Sequence, residues 1–310
     1  MTAAAIEDRP SLPLALAVDV GGTKLEAALV SAGGTVLAAS RIRRPTGPDT
    51  TPDSLRAAVD EAVAYAVDAR GPRAELVGAG IGSAGPIDRD RGLIHPVNMP
   101  GARGFDLRSA VAESAAAAVD APVPTTLAHD GGCLALAESW LGATQGASTS
   151  LSIVVSTGVG GGFVVDGRYL PGASGNAGHL GQVHAEGALT LEQVASGPAS
   201  VAWAQAQGWA GERGEDLARD AASGDRVARA AIERSARAVG AALADASTLV
   251  DLEVVAIGGG FSRVADDYID LVQRALLDAA AHEYSQHTRV VRSGLGDEGP
   301  LIGAAALVLR

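Results

Sequence analysis

A carboxylate, two glycines, a hydroxyl and a cation stand together in Asp19-Val20-Gly21-Gly22-Thr23-Lys24. Glycines lack Cβ, so their N–H groups can approach an anion closely, and Thr23 adds a donor. Asp19 beside such a turn suits a hydrated magnesium ion, held through water, rather than a phosphate oxygen directly. Lys24 is the only lysine in the chain. Arginine serves everywhere else, so this single use points to a role arginine cannot fill. Taken alone, the same residues fit an ordinary hairpin with a solvated lysine about as well. Ser156-Thr157-Gly158 repeats the hydroxyl-and-glycine chemistry in the second half of the chain. Gly258-Gly259-Gly260 offers a third place where backbone could approach a flat purine or ribose. Two carboxylates lie between these runs. Asp130, in Ala128-His129-Asp130-Gly131-Gly132, could accept a hydroxyl proton, or instead cap the helix expected from Cys133. A capping carboxylate is already occupied, so the two roles conflict. Glu192 could serve a substrate or be an ordinary first-turn glutamate.

The elements that must carry these residues follow from periodicity. Apolar runs from Leu14 to Val20 and from Leu25 to Val30 flank Gly21-Gly22 and predict a β-hairpin with a glycine tip. Thr35 to Arg41 reads as a third strand. Leu55, Val59, Val63 and Val67 recur every fourth position and predict a helix over 53–69. A buried strand over 76–81 ends in glycines, and a loop holding Asn98 leads to a helix over 106–118 and a strand over 123–127. Three strands in a meander, then alternating helix and strand, resemble a ribonuclease-H-like fold. The pattern restarts at Ser150 with strand, glycine turn and strand. This predicts an internal duplication with two phosphate-holding hairpins facing one another. A glycine-studded loop over 172–183 then carries Asn176, His179 and Gln182. Helices are expected from Thr190 or Leu191, over 199–207, and over 213–245 with a break at Ser223-Gly224. A buried strand from Val254 delivers Gly258-Gly259-Gly260. A helix over 266–281, a strand over 288–292 and an apolar helix from Pro300 close the chain. The expected domains are 12–127 and 128–299, with the helix over 300–310 returning to the first.

Bulk composition narrows the function classes. With 47% hydrophobic but only 3% aromatic residues, the cores must be packed with Ala, Val, Leu and Ile. A formal charge of −12 disfavours a nucleic-acid backbone as partner. The single cysteine, Cys133, excludes an internal disulfide and a cysteine-rich zinc site, and reads as a small buried residue. His129, His179 and His184 are half of the six histidines, but no short metal-ligand spacing unites them. No apolar run reaches membrane-spanning length. Met1 to Ser11 lacks a basic-then-apolar layout and is expected to be a frayed extension, so a cytoplasmic location is expected.

Seven motifs occur in order: Asp19-Val-Gly-Gly-Thr-Lys24, His129-Asp130-Gly131-Gly132, Ser156-Thr-Gly-Val-Gly-Gly-Gly162, Ala177-Gly178-His179-Leu180-Gly181, Leu191-Glu192 with Ser196-Gly197, Ile257-Gly-Gly-Gly260 and Pro300-Leu-Ile-Gly-Ala304. Together they resemble the ROK family, which joins sugar kinases, open reading frames and repressors within the actin-like ATPase superfamily. The resemblance spans nearly the whole chain from Leu14. It implies an α/β protein of two ribonuclease-H-like, actin-like ATPase domains with an interdomain cleft. It also implies ATP-dependent, magnesium-assisted phosphorylation of a hydroxyl on a hexose or N-acetylhexosamine. In that reading Asp130 is the general base, and Asn98 and Glu192 bind sugar hydroxyls. His129, His179 and Gln182 join the sugar site. The nucleotide falls to Asp19, Gly21, Gly22, Thr23, Lys24, Ser156, Thr157, Gly158, Gly258, Gly259 and Gly260, with Asp19 toward magnesium.

Departures from the family pattern are confined to the sugar loop and the base. Many members have Asn where His129 stands. The usual Glu-x-Gly-His is here His179-Leu-Gly-Gln182, and the kinases of N-acetylmannosamine resemble this chain at His179 but keep the second His. That second His is usually a zinc ligand with three cysteines, so no zinc is expected. The rival expectation is a weakly active or non-catalytic sugar sensor. Against it, the family's repressors carry a helix-turn-helix ahead of the first phosphate strand, and only thirteen residues precede Leu14 here. The expected partners are a small-molecule sugar and a second copy of the chain, as a homodimer, with neither nucleic acid nor membrane.

Overall fold

Strand β1 (Leu12–Val20) turns at the glycines into β2 (Lys24–Ser31), and the two pair antiparallel with Asp19 opposite Glu26. These positions belong to a computed structural model that describes residues 12–72 and 74–310. The extension expected at Met1 to Ser11 lies outside the described residues. Residues Leu14 to Val20 are all buried, which explains the nearly unbroken apolar run. Leu14, Leu16, Val18 and Val20 join one core with helix α1 (Pro52–Asp68), where Thr51 and Ser54 form a capping box. Ala15 and Ala17 alternate with them, and the C-terminal helix Gly299–Leu309 packs on β1 and on β4 (Ala74–Ser83).

The third strand is not where periodicity placed it. Thr35 to Arg41 supplies only a single bridge, Val36 to Val30, and a 3-10 turn over Ala38–Ser40. Leu37 donates its N–H to Leu29, and Ser40 Oγ accepts the N–H of Leu29 at 2.8 Å, so a side chain replaces the ladder there. The seat beside β2 is taken by β3 (Ile42–Pro45).

After β4 the chain forms a three-stranded sheet of two-residue strands, β5 (Ile87–Asp88), β6 (Leu93–Ile94) and β7 (Phe105–Asp106). Helix α2 (Leu107–Val119) follows, capped by Asp106, and then β8 (Thr125–His129). The main sheet runs in the order β3-β2-β1-β4-β8, with β4 parallel to both β1 and β8. Helix α3 (Asp130–Leu141) begins directly after His129, three residues earlier than the sequence suggests. One compact unit runs up to Cys133 and takes up Glu298–Arg310; the other is Leu134–Asp297.

The second unit repeats the plan. Strands β9 (Thr149–Val155) and β10 (Val159–Val165) form a hairpin, β11 (Arg168–Tyr169) follows, and β12 (His184–Glu186) pairs with β13 (Leu189–Thr190). Helices α4 (Leu191–Ala195), α5 (Gly197–Ala206), α6 (Gly214–Ala222) and the 25-residue α7 (Arg226–Val250) come next. Strand β14 (Val254–Gly258), helix α8 (Tyr268–Ala279) and strand β15 (Arg289–Arg292) complete it. The sheet order is β11-β10-β9-β14-β15, with β14 parallel to β9 and β15. Both sheets thus contain an antiparallel meander of three strands followed by two parallel strands. That shared order is the duplication the two glycine hairpins hinted at.

Candidate active site

Within the first unit, the ends of β1, β4 and β8 bring the expected chemistry together. Asp19 pairs in register with Gly82, and Ser83 with His129, so both chemical runs finish at one edge of the sheet. Asp19 is buried, and its carboxyl is pushed up to about 7, chiefly by burial and then by the charge of Asp130, while Lys24 pulls it down. Lys24 also has a closer partner. Its ammonium lies 2.6 Å from Glu26, a buried carboxylate that Arg41 and Arg43 also bridge. The single lysine is therefore held beside β2, with its charge acting on Asp19.

The turn at Gly21-Gly22 is tight: Gly21 donates its N–H to Lys24 at 2.9 Å. A Cβ on Gly22 would lie 2.7 Å from Cβ of Asn98, so only glycine lets the loop seat Asn98 against the turn. A residue assigned to the sugar and one assigned to phosphate are thereby neighbours. Asp130 opens α3, and its Oδ1 accepts the N–H of Gly131 at 2.7 Å. His129 Nε2 lies 3.1 Å from the same oxygen. This is not the cap expected for a helix starting at Cys133, because Asp130 is itself the first helical residue. Cys133 is fully buried beside Asp19 and Asp130, and burial first, then those charges, pushes its thiol well up.

The second unit gathers the remaining candidates around the turn of β9 and β10. Ser156 donates its N–H to Gly158 at 2.9 Å, closing a turn one residue shorter than that of the first hairpin. Glu192, on the first turn of α4, accepts the N–H of Val159 at 2.9 Å through Oε2. It is thus tied to the hydroxyl-bearing turn. The loop with His179 and Gln182 lies along β10, since any Cβ at Gly178 or Gly181 would strike the backbone of Gly161 or Val159. His179 Nδ1 donates to the Asn176 carbonyl at 2.8 Å, and Gln182 is exposed. His179 also borders an apolar cavity of about 650 Å³ with Phe163, Val183 and Leu249.

A second cavity of about 520 Å³ opens beside Ser156, Thr157 and Gly260. Its walls are Pro198, Val201, Phe261 and Val264, with Glu212, Arg213 and Glu215 also lining it. An apolar slot with polar groups next to a hydroxyl turn suits a purine nucleotide. Of the three consecutive glycines only Gly260 borders it. Gly259 has φ +94°, and its Cβ would sit 2.4 Å from the Val155 carbonyl, so close backbone packing explains that glycine. The walls escaped the sequence reading because they come from distant segments. The one local signal was Phe261, one of three phenylalanines, directly after the glycines.

Among the described residues no cluster of three or more His, Cys, Asp or Glu is placed to hold a metal. No described helix is long and apolar enough to cross a membrane.

Two sheets of one topology, each with a glycine hairpin, define an α/β protein of the two-domain, actin-like ATPase fold. A model of the ROK family matches residues 15–310, and the chain belongs to that family. It is similar to the N-acetylmannosamine kinase of Escherichia coli O7:K1, 32% identical over 95% of this chain and 98% of the relative. Among solved structures it resembles the ROK hexokinase from Thermus thermophilus, with 33% identity and a TM-score of 0.79 over 95% of this chain and 97% of that one. It also resembles a ROK glucokinase from Streptomyces griseus, solved with glucose and AMPPNP, with 28% identity and a TM-score of 0.76 over 95% and 99% of the two chains.

Proposed function

We infer that this protein is an ATP-dependent sugar kinase that phosphorylates a hydroxyl of a hexose or N-acetylhexosamine, with Asp130 as general base. The observation that carries the role of Asp130 is its setting. It stands at a strand end and helix start, 46% exposed, beside a buried Asp19 and in the unit where Asn98 meets the phosphate-type turn. Phosphoryl transfer asks for positioning and charge neutralisation more than covalent chemistry. The sugar hydroxyl gives its proton to Asp130, and Asn98 and Glu192 hold the ring hydroxyls. Ser156, Thr157 and Gly260 border the nucleotide, whose base occupies the slot against Phe261.

Asp19 fits magnesium. Two carboxylates whose charges oppose each other, one of them buried, gain from a divalent cation nearby. When bound, the ion would neutralise phosphate charge, with Asp19 holding it through water. N-acetylmannosamine is the first sugar to try, because curated relatives over nearly the full chain are kinases of that sugar.

The test is sugar-dependent ADP release with ATP and magnesium across hexoses and N-acetylhexosamines. At least one sugar is expected to stimulate release well above the basal rate. Sugar binding without stimulated release across the panel would overturn the kinase reading and favour a sensor.

A further inference from the structure

We propose that His129 is a positioning residue for phosphoryl transfer, holding one oxygen of Asp130 so that the other is presented to the substrate hydroxyl. The inference rests on the reading of Asp130 as base. His129 Nε2 lies 3.1 Å from Asp130 Oδ1, and Gly131 N donates to that same oxygen at 2.7 Å. An ionised carboxylate only accepts, so Nε2 carries the hydrogen. Two donors on Oδ1 fix the plane of the carboxylate and leave Oδ2 as the oxygen with a lone pair to give.

Exposure separates the two residues. The His129 side chain is 4% exposed and that of Asp130 is 46% exposed, so the imidazole sits behind the carboxylate. This departs from the direct sugar contact expected for His129. Its backbone is fixed as well, since His129 ends β8 in register with Ser83 of β4. A rigid strand thus carries the donor, and the first turn of α3 carries the acceptor. An exposed carboxylate with one backbone bond could still rotate. The second, charge-assisted bond removes that freedom, and a misplacement of an ångström can cost about a hundredfold in rate.

The test compares His129→Leu, which removes the donor, with His129→Gln, whose amide places an N–H near the Nε2 position. Thermal melts establish that each variant is folded, and His129→Met replaces the leucine variant if that one is not. Turnover of the apolar variant is expected to fall roughly 10- to 100-fold with sugar and ATP KM changed less than about threefold. The glutamine variant keeps most of the turnover. In an Asp130→Asn background the apolar substitution adds no further loss, because His129 acts only through that carboxylate.

Normal turnover in the folded apolar variant would overturn the inference. So would equal losses in the Gln and apolar variants, or an effect confined to sugar KM. Near-normal turnover of Asp130→Asn alone would instead bring down the reading of Asp130 as base. An inactive Asp130→Asn with a fully active His129→Leu would remove only the positioning role.

Discussion

Asp19 and Glu26 face each other across β1 and β2, yet their carboxyls are displaced in opposite directions. Burial raises both. At Glu26 the hydrogen bonds from Arg41, Lys24 and Arg43 outweigh it and bring the carboxyl to about 2; at Asp19 the charge of Asp130 adds to it and takes the carboxyl to about 7. The consequences for stability have opposite signs. Unfolded Glu26 binds its proton near 4.5, so its contribution is present above that pH and is lost as pH falls toward 2. Unfolded Asp19 releases its proton near 3.8 while the folded group keeps its own until about 7, so stability declines as pH rises between those values. At about 1.4 kcal/mol per pH unit of displacement, the effect is at most roughly 3 kcal/mol for Glu26 and roughly 4 kcal/mol for Asp19. Denaturant titrations without divalent cations should show Asp19→Asn gaining on the native protein from pH 4 to 7. Glu26→Gln should lose the decline that the native protein shows below pH 4.5. Parallel curves for native protein and Asp19→Asn would contradict the account of that carboxyl. The nearness of Lys24 to Asp19 was legible in the sequence, five residues apart, whereas the charge of Asp130 reaches Asp19 only through the fold. The tie between Lys24 and Glu26 was not legible, since two neighbours on one strand face read simply as solvated charges.

At the scale of elements, short-range signals survived and assembled ones did not. The two hairpins were legible because apolar runs and glycines sit side by side in sequence. The third strand was misplaced because a serine hydroxyl at Ser40 does the work of a ladder bond, which no periodicity reveals. The slot proposed for the nucleotide borders only part of what the sequence singled out. Gly260 was singled out, but its walls on α5, α6 and at Phe261 meet only through folding. That distinction sets the variant to make. Gly259→Val would drive a side chain into the Val155 carbonyl and so tests the fold, not the ligand. Gly260 has φ −62° and ψ −41°, acceptable to any L residue, and its nearest atom to a new Cβ is Ser156 Oγ at 3.7 Å. Gly260→Leu should therefore fold and fill the slot. Thermal stabilisation by Mg-ADP should shrink, by about 1.4 kcal/mol for each tenfold loss of affinity at saturating ligand. Undiminished stabilisation would place the nucleotide elsewhere.

Across the whole molecule, one topology is used twice, and the two copies carry different candidate residues. The first unit holds Asp19, Asn98 and Asp130; the second holds the hydroxyl turn, Glu192 and the slot beside Gly260. A sequence can suggest such a duplication from two similar turns, but only the matched strand orders establish it. The division of labour makes Asp130 the residue on which the account turns. Asp130→Asn keeps the shape and an acceptor oxygen, so folding and Mg-ADP binding should be retained. General-base catalysis contributes about 10²- to 10⁴-fold, so turnover on the preferred sugar should fall by that order while sugar affinity changes far less. A purely structural role predicts a small loss of stability and nearly intact turnover, because Asn serves a helix start about as well as Asp. Steady-state turnover and sugar affinity, measured side by side in the native protein and Asp130→Asn, therefore decide the matter. Loss of turnover with sugar affinity retained is the predicted result, and near-normal phosphorylation by Asp130→Asn would contradict the account.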